Sequence, residues 1–358
     1  MFILTTCQIG AENVLRSEFA KKFPQLRFSY SRPGFLTFKL DAEPEKPTAF
    51  AAEIQNNSVF TRRVSIFVGK IKDQPLAETF WKTVEENNIV PITKLRRLHT
   101  FSRDAQPVGE NGFEPIATEN DKAVFKTLLG SAPNTFRPGM GADDHAIPSP
   151  IGSRVLDCVQ VEPNEFWIGA HETSNNVHDA YPGCVLPISI PSDMVSRAYL
   201  KFEEAIRWSG FHIGCGTQCV DIGSSPGGAA QALLARGAEV IGIDPAEMDE
   251  KVLAYPGFTH IRGKIGQVRR KLFRKCKYAI CDMNVAPSFT LDVLEELVNH
   301  RETQFKGLIF TLKLFQWNLA QHIPEFVARI KSWGFGQVRV RQLPFNRQEV
   351  IVVVTRAG

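Results

Sequence analysis

The nine residues from Val220 to Gly228, VDIGSSPGG, constrain this chain more than any other segment. They follow an apolar run, 219–222, that reads as a buried strand, and they lead into a helical stretch, 229–236. Glycines at 223, 227 and 228 let the backbone turn sharply and approach a ligand closely, as a strand–loop–helix nucleoside site requires. Asp244, 23 residues after Asp221, ends the next apolar run, where a carboxylate can accept both hydroxyls of a ribose. The pattern is D-x-G-x-x-P-G-G rather than G-x-G-x-x-G. Asp221, Gly223, Ser225, Pro226, Gly227 and Gly228 form a loop that begins with an acid inside the strand end. A pyrophosphate gains nothing from an acidic neighbour, whereas a sulfonium and a zwitterionic amino-acid tail do. The loop therefore favours S-adenosylmethionine over a nicotinamide dinucleotide, and an NAD-dependent oxidoreductase stays as an alternative.

The rhythm around the loop sets the fold class. From residue 191 onward a helix (196–208) is followed by apolar runs at 219–222, 239–243, 258–261, 278–281 and 308–312, most of them separated by helical stretches. That alternation predicts a parallel sheet with crossover helices, a Rossmann-like α/β domain. Runs at 337–342 and 349–355, joined by a short turn with Pro344 and Asn346, predict a closing antiparallel hairpin. Before residue 180 strands and helices alternate less strictly. Helices are expected near 11–23, 47–56 and 77–87, strands near 27–30, 35–40 and 95–102, and a hairpin at 154–161 and 166–170. A Gly/Pro/Ser-rich stretch at 130–152 reads as a long loop. This first half is expected to be α+β. Clustered Pro182, Gly183, Pro187 and Pro191 put the boundary between residues 1–185 and 186–358.

Sheet geometry then gathers charges that are far apart in sequence. Asp282 and Lys313 each follow a parallel run at its C-terminal end, the edge where open α/β sheets bind ligands. Glu349 begins the last run, so an antiparallel final strand brings it to that same edge. Lys201 lies on the helix before the first strand, which can cross the mouth of the site. Two lysines and two acids are expected to converge there.

In order, SRAYLKFEEA (196–205), the DIGSSPGG loop, Cys281-Asp282-Met283, Thr311-Leu312-Lys313 and Arg347-Gln348-Glu349-Val350 resemble the motifs of the FtsJ-like (RrmJ-type) ribose 2′-O-methyltransferases. Within that family the chain is most similar to the bacterial large-subunit (23S) ribosomal RNA cytidine methyltransferases that carry an N-terminal THUMP domain. The likeness is fainter before residue 191, in Phe60-Thr61-Arg62-Arg63, Phe67-Val68-Gly69 and Phe166-Trp167-Ile168-Gly169. The resemblance implies a catalytic tetrad of Lys201, Asp282, Lys313 and Glu349. It also implies donor contacts at Ser225–Gly228, Asp244 and Asp282, and a THUMP-like 1–185 with a ferredoxin-like start at about 1–60. One position departs from the family: Lys264 stands where an acid commonly approaches the adenine, and a lysine cannot accept a hydrogen bond. A ribose hydroxyl is a poor nucleophile, and Lys313 is the expected general base. Lysine titrates near 10.4 when free, so burial or the Lys201 charge would have to lower it, while Asp282 and Glu349 act oppositely.

Charge and composition bear on the partner. Residues 1–190 hold 20 Lys/Arg against 22 Asp/Glu, and residues 191–358 hold 22 against 16. Arg262, Lys264, Arg269, Arg270, Lys271 and Arg274 lie in an acid-free stretch ending at Lys277, a candidate contact for RNA phosphates. A thinner basic group comprises Lys94, Arg96, Arg97, His99 and Arg103. An RNA-binding protein with a degenerate methyltransferase domain is the non-enzymatic alternative. Base N-methylation is disfavoured by Asp282-Met283-Asn284-Val285, which lacks the Pro-Pro-aromatic loop, and Cys281 reads as a buried strand residue rather than a nucleophile. Seven cysteines without metal or redox spacing and eight scattered histidines predict no metal site and no disulfide framework. No apolar run approaches a membrane span and the N-terminus lacks a basic leader, so a cytoplasmic protein is expected.

Overall fold

The computed structural model describes residues 1–87, 89–136 and 139–356. The chain forms two compact units, Met1–Pro187 and Ile188–Gly358.

In the first unit the elements run β1 (Phe2–Cys7), α1 (Glu12–Lys22), β2 (Leu26–Arg32), β3 (Phe35–Leu40), α2 (Pro47–Asn57), β4 (Thr61–Lys72), α3 (Leu76–Glu86), β5 (Arg97–Ser102), α4 (Glu119–Gly130), β6 (Arg154–Glu162) and β7 (Glu165–Glu172). The strands make one seven-stranded sheet in the order β2-β3-β1-β4-β7-β6-β5. Every pairing is antiparallel except β5 with β6. Apolar residues at alternate strand positions, among them Ile71, Leu98, Leu156 and Ile168, meet Phe80, Trp81 and Val84 of α3 and Phe125 and Leu128 of α4 in one core.

Two of these elements escaped the sequence reading. The start of β4 is polar (Thr61-Arg62-Arg63) but buried, because Arg63 finds partners inside the unit. Its Nη2 donates to the carbonyls of Asp179 (3.1 Å) and Tyr181 (2.9 Å), and its Nε lies 4.0 Å from Asp157 Oδ1. Helix α4 begins with a reciprocal cap, in which Thr118 Oγ1 accepts from the Asp121 N–H and the Asp121 carboxylate accepts from the Thr118 N–H.

The second unit contains α5 (Ala198–Ser209), β8 (Gln218–Ile222), α6 (Gly228–Leu234), β9 (Glu239–Asp244), α7 (Glu250–Leu253), β10 (Phe258–Arg262), β11 (Tyr278–Cys281), α8 (Pro287–Val298), β12 (Gly307–Lys313), α9 (Ile323–Lys331), β13 (Gln337–Arg341) and β14 (Glu349–Thr355). Its sheet has the order β10-β9-β8-β11-β12-β14-β13, parallel from β10 to β12. The strand β14 runs antiparallel to both β12 and β13. Expected and observed architectures agree here. Continuous apolar runs such as Val350–Val354 are buried on both faces, as a sheet covered on two sides demands. No helix among the described residues is long and apolar enough to cross a membrane.

Asp157 carries the charge balance of the buried polar group in the first unit. Burial alone would raise its pKa, but His171 and Arg63 outweigh that and hold it down to about 2. Its Oδ2 accepts from His171 Nδ1 and from Ser65 Oγ, both at 2.6 Å. Asp157→Ala strands the Arg63 guanidinium in the interior and should cost about 3–5 kcal/mol in equilibrium denaturant unfolding. A loss below about 1 kcal/mol would contradict this account.

Candidate active site

The C-terminal edge of the second sheet is built by register. Lys313, the last residue of β12, pairs with Glu349, the first of β14, so their side chains leave the sheet together on one face. Asp282 follows β11 directly, and its N–H donates to the Ile222 carbonyl at the end of β8 (3.3 Å). Lys201 enters from α5, a helix buried along nearly its whole length.

The four side chains meet. Lys201 Nζ donates to Asp282 Oδ2 (2.5 Å) and lies 3.2 Å from Glu349 Oε1. Lys313 Nζ donates to Asp282 Oδ1 (2.7 Å) and to Glu349 Oε2. Each ammonium therefore bridges both carboxylates, and all four side chains are at most 13% exposed. Two neutral neighbours, not singled out from the sequence, steady the acids. Thr311 Oγ1 donates to Asp282 Oδ1 (2.7 Å), and Asn346 Nδ2 lies 3.5 Å from Glu349 Oε1. Thr311 had a readable signal, since it stands two residues before Lys313 on the same strand face.

Electrostatics fix the protonation of this quartet. Burial would raise the Asp282 pKa, but Lys201 and Lys313 together hold it well below the usual carboxylate range. Burial likewise pushes Glu349 upward, and the two lysines overcome both that and Asp282 to lower it. Burial pushes Lys313 down, yet Glu349 and then Asp282 raise it above a free lysine. The lowering of Lys313 that a general base would need is thus reversed in this state: two acids at hydrogen-bond distance outweigh burial and one like charge. Cys281 is fully buried, its thiol pushed up to about 12 by burial, and it offers no nucleophile.

The glycine loop lies between β8 and α6, on the same sheet edge. Gly223 (φ +75°) and Gly227 (φ +119°) occupy conformations that side chains rarely adopt. A Cβ at Gly223 would come within 2.7 Å of Met283, next to Asp282, and one at Gly227 within 2.6 Å of Val252. Asp244 ends β9; its Oδ2 accepts from the Ser225 N–H (3.1 Å) and its Oδ1 from the Ala246 N–H (2.8 Å). A carboxylate has about four acceptor sites, so it can still take ribose hydroxyls. Ser225 Oγ donates to the Glu247 carbonyl (2.7 Å), Pro226 is exposed and Gly228 opens α6.

Asp221 is the most informative member of the loop. It is completely buried, and its Oδ2 accepts from Ser224 Oγ (2.7 Å). Burial, with smaller contributions from Asp282 and Asp244, pushes its pKa up to about 7 against the Ser224 bond. A buried carboxylate with neutral donors, and with no cation among the groups that shift it, invites a cation, and the ammonium of an amino-acid tail fits that demand.

The basic stretch folds into two short 3-10 turns, 265–267 and 270–273. Three of its six candidate contacts spend charge on acids: Arg262 lies 3.4 Å from Glu247, Arg270 pairs with Glu296 at 2.6 Å, and Arg274 pairs with Glu302. Lys264, Arg269 and Lys271 are exposed. In the first-half basic group His99 is buried and Arg103 pairs with Glu162, leaving a thinner positive surface than the sequence promised.

Because burial is the largest cause of the Asp221 shift, ionising this group destabilises the fold as pH rises. The folded pKa lies above the unfolded carboxylate value, so its stability contribution is fully present below about pH 4 and lost by about pH 7. Asp221→Asn should therefore raise the melting temperature at pH 8, with the gain vanishing near pH 4. Equal differences at both pH values would contradict it.

Comparison with known proteins now bears on this geometry. The family model described as FtsJ-like methyltransferase matches residues 194–350. Over nearly full length the chain is similar to ribosomal RNA large subunit methyltransferase M of Tolumonas auensis, at 24% identity, with 97% of this chain and 94% of that protein covered. The protein of the same name from Pectobacterium atrosepticum is 26% identical over 99% of this chain and 96% of its own. That from Pseudoalteromonas translucida is 28% identical over 55% of this chain and 56% of its own. Residues 194–350 thus carry the match to the FtsJ-like methyltransferase family, and the cofactor this match implies is S-adenosylmethionine.

Proposed function

We propose that the protein transfers a methyl group from S-adenosylmethionine to a ribose 2′-hydroxyl of large-subunit (23S) ribosomal RNA. The observation that carries this reading is the buried Lys201–Asp282–Lys313–Glu349 quartet, on the same sheet edge as a glycine loop that begins at the fully buried Asp221. The names of its full-length relatives support the RNA and the ribosomal subunit. Nothing in the quartet offers a base-methylating nucleophile, whereas two ammonium groups beside two carboxylates suit an oxygen acceptor.

Asp221, the Gly223–Gly228 loop and Asp244 hold the donor, which supplies an electrophilic methyl group on a sulfonium. Asp282 and Glu349 fix both lysines through four ion pairs. Lys313 Nζ, having first released its own proton to solvent, would take the hydroxyl proton as the ribose oxygen bonds to the methyl carbon and the carbon–sulfur bond breaks, leaving a neutral thioether, while Lys201, held by the same acids, keeps the local charge balanced. Oriented reactants contribute up to about 7–11 kcal/mol of the barrier reduction, so rigid placement of these groups is itself catalytic. Lys264, Arg269 and Lys271 contribute phosphate contacts, and residues 1–185 serve as a THUMP-like RNA grip.

Because Lys313 rests in its charged form, the active fraction grows as protons are removed. The methylation rate at saturating donor and RNA should climb about tenfold per pH unit from pH 6 to 8. A flat profile would assign Lys313 an ammonium role instead of a base. Lys313→Ala should reduce turnover by at least about 100-fold, while calorimetry shows donor affinity within a factor of about three of wild type. A fully active variant, or a wild-type protein that binds no donor, would remove the proposal.

A further inference from the structure

Phe315 is an exposed aromatic residue just past the end of β12. The pairing of β12 with β14 continues one residue past Lys313, since the Leu314 N–H donates to the Gln348 carbonyl (2.9 Å). Alternation along this extended segment is visible in the contacts. Thr311 and Lys313 both reach Asp282 on the site face, whereas Leu312 and Leu314 turn to the other side and are almost fully buried. Phe315 follows in a bend just past the end of the strand, at the same sheet edge as Lys313. It is 55% exposed, and among the described residues no phenylalanine is more so. A single exposed apolar residue is ordinary in itself. One that stands at the ligand-binding edge of the sheet, two residues from the group that handles the acceptor proton, is not.

Two residues of strand span about 7 Å, comparable to the reach from a ribose hydroxyl to the base it carries. A ribose in folded RNA is open to in-line attack only when its nucleotide has left the stack, and the lost stacking must be replaced. Aromatic side chains replace it without regard to base identity, because every base presents a flat π-face. We propose that Phe315 is the platform on which the base of the acceptor nucleotide stacks, so that its 2′-hydroxyl is held over Lys313 Nζ. The proposal rests on the RNA 2′-O-methylation reading and adds to it the residue that receives the base. The ligand class is a single unstacked nucleotide within an RNA strand. No bond is made or broken by Phe315, which acts through position alone.

Steady-state methylation of ribosomal RNA by Phe315→Ala, Phe315→Leu and Phe315→Trp tests this, with thermal melts to verify folding and calorimetry to follow the donor. Loss of the ring should raise the KM for RNA about ten- to 100-fold in both the Ala and the Leu variants, with donor affinity unchanged. Phe315→Trp should stay within about threefold of wild type, because it keeps an aromatic face. The Leu variant retains apolar bulk on an exposed position, so its behaviour separates stacking from simple packing. A KM unchanged in the Ala variant, or a Leu variant equal to wild type, overturns the platform while leaving 2′-O-methylation intact. A wild-type protein that methylates no RNA overturns both readings together.

Discussion

Two ammonium groups and two carboxylates, packed together and almost wholly buried, form a closed loop of ion pairs at one end of the second sheet, and the site depends on that balance. Each charge is tolerable inside the protein only because the other three are there. Lys201, Asp282, Lys313 and Glu349 come from α5, the end of β11, the end of β12 and the start of β14, so the quartet also ties together the elements that make the edge. Its sum of charges is zero. A positive cofactor or a hydroxyl losing its proton therefore meets neither a repulsive nor a trapping field, but a set of fixed dipoles whose protons can be redistributed.

The fold makes this arrangement possible through the direction of its last strand. A parallel β14 would have put Glu349 at the opposite edge; running antiparallel, it sets Glu349 directly beside Lys313. The two-sided burial of Val350–Val354 stabilises that strand in a central position, so Glu349 is anchored by core packing and not by the site alone. The glycine loop is held in the same way, because Gly223 and Gly227 pass so close to Met283 and Val252 that no side chain fits.

Much of this was legible in the sequence. The apolar runs, the loop pattern and the strand-end positions of Asp282, Lys313 and Glu349 all follow from local signals, and topology converts them into a site. What stayed hidden depends on partners distant along the chain. The sign of the Lys313 shift turns on distances to two acids, 31 and 36 residues away, which no pattern reports. Arg270 and Arg274 looked available until Glu296 and Glu302, 26 and 28 residues on, took up their charge. Strand β4 was missed because its first residues are polar, and the groups that satisfy Arg63 lie about a hundred residues later. Local apolar periodicity reads cores well; it reads buried charge poorly.

The quartet is proposed to methylate one ribose of large-subunit ribosomal RNA. Mass-spectrometric mapping of that RNA from a strain lacking the gene tests it most directly. The account predicts one 2′-O-methyl group absent, restored by the intact gene and not by a copy encoding Lys313→Ala. An unchanged methylation map, or restoration by the lysine-less copy, would contradict it.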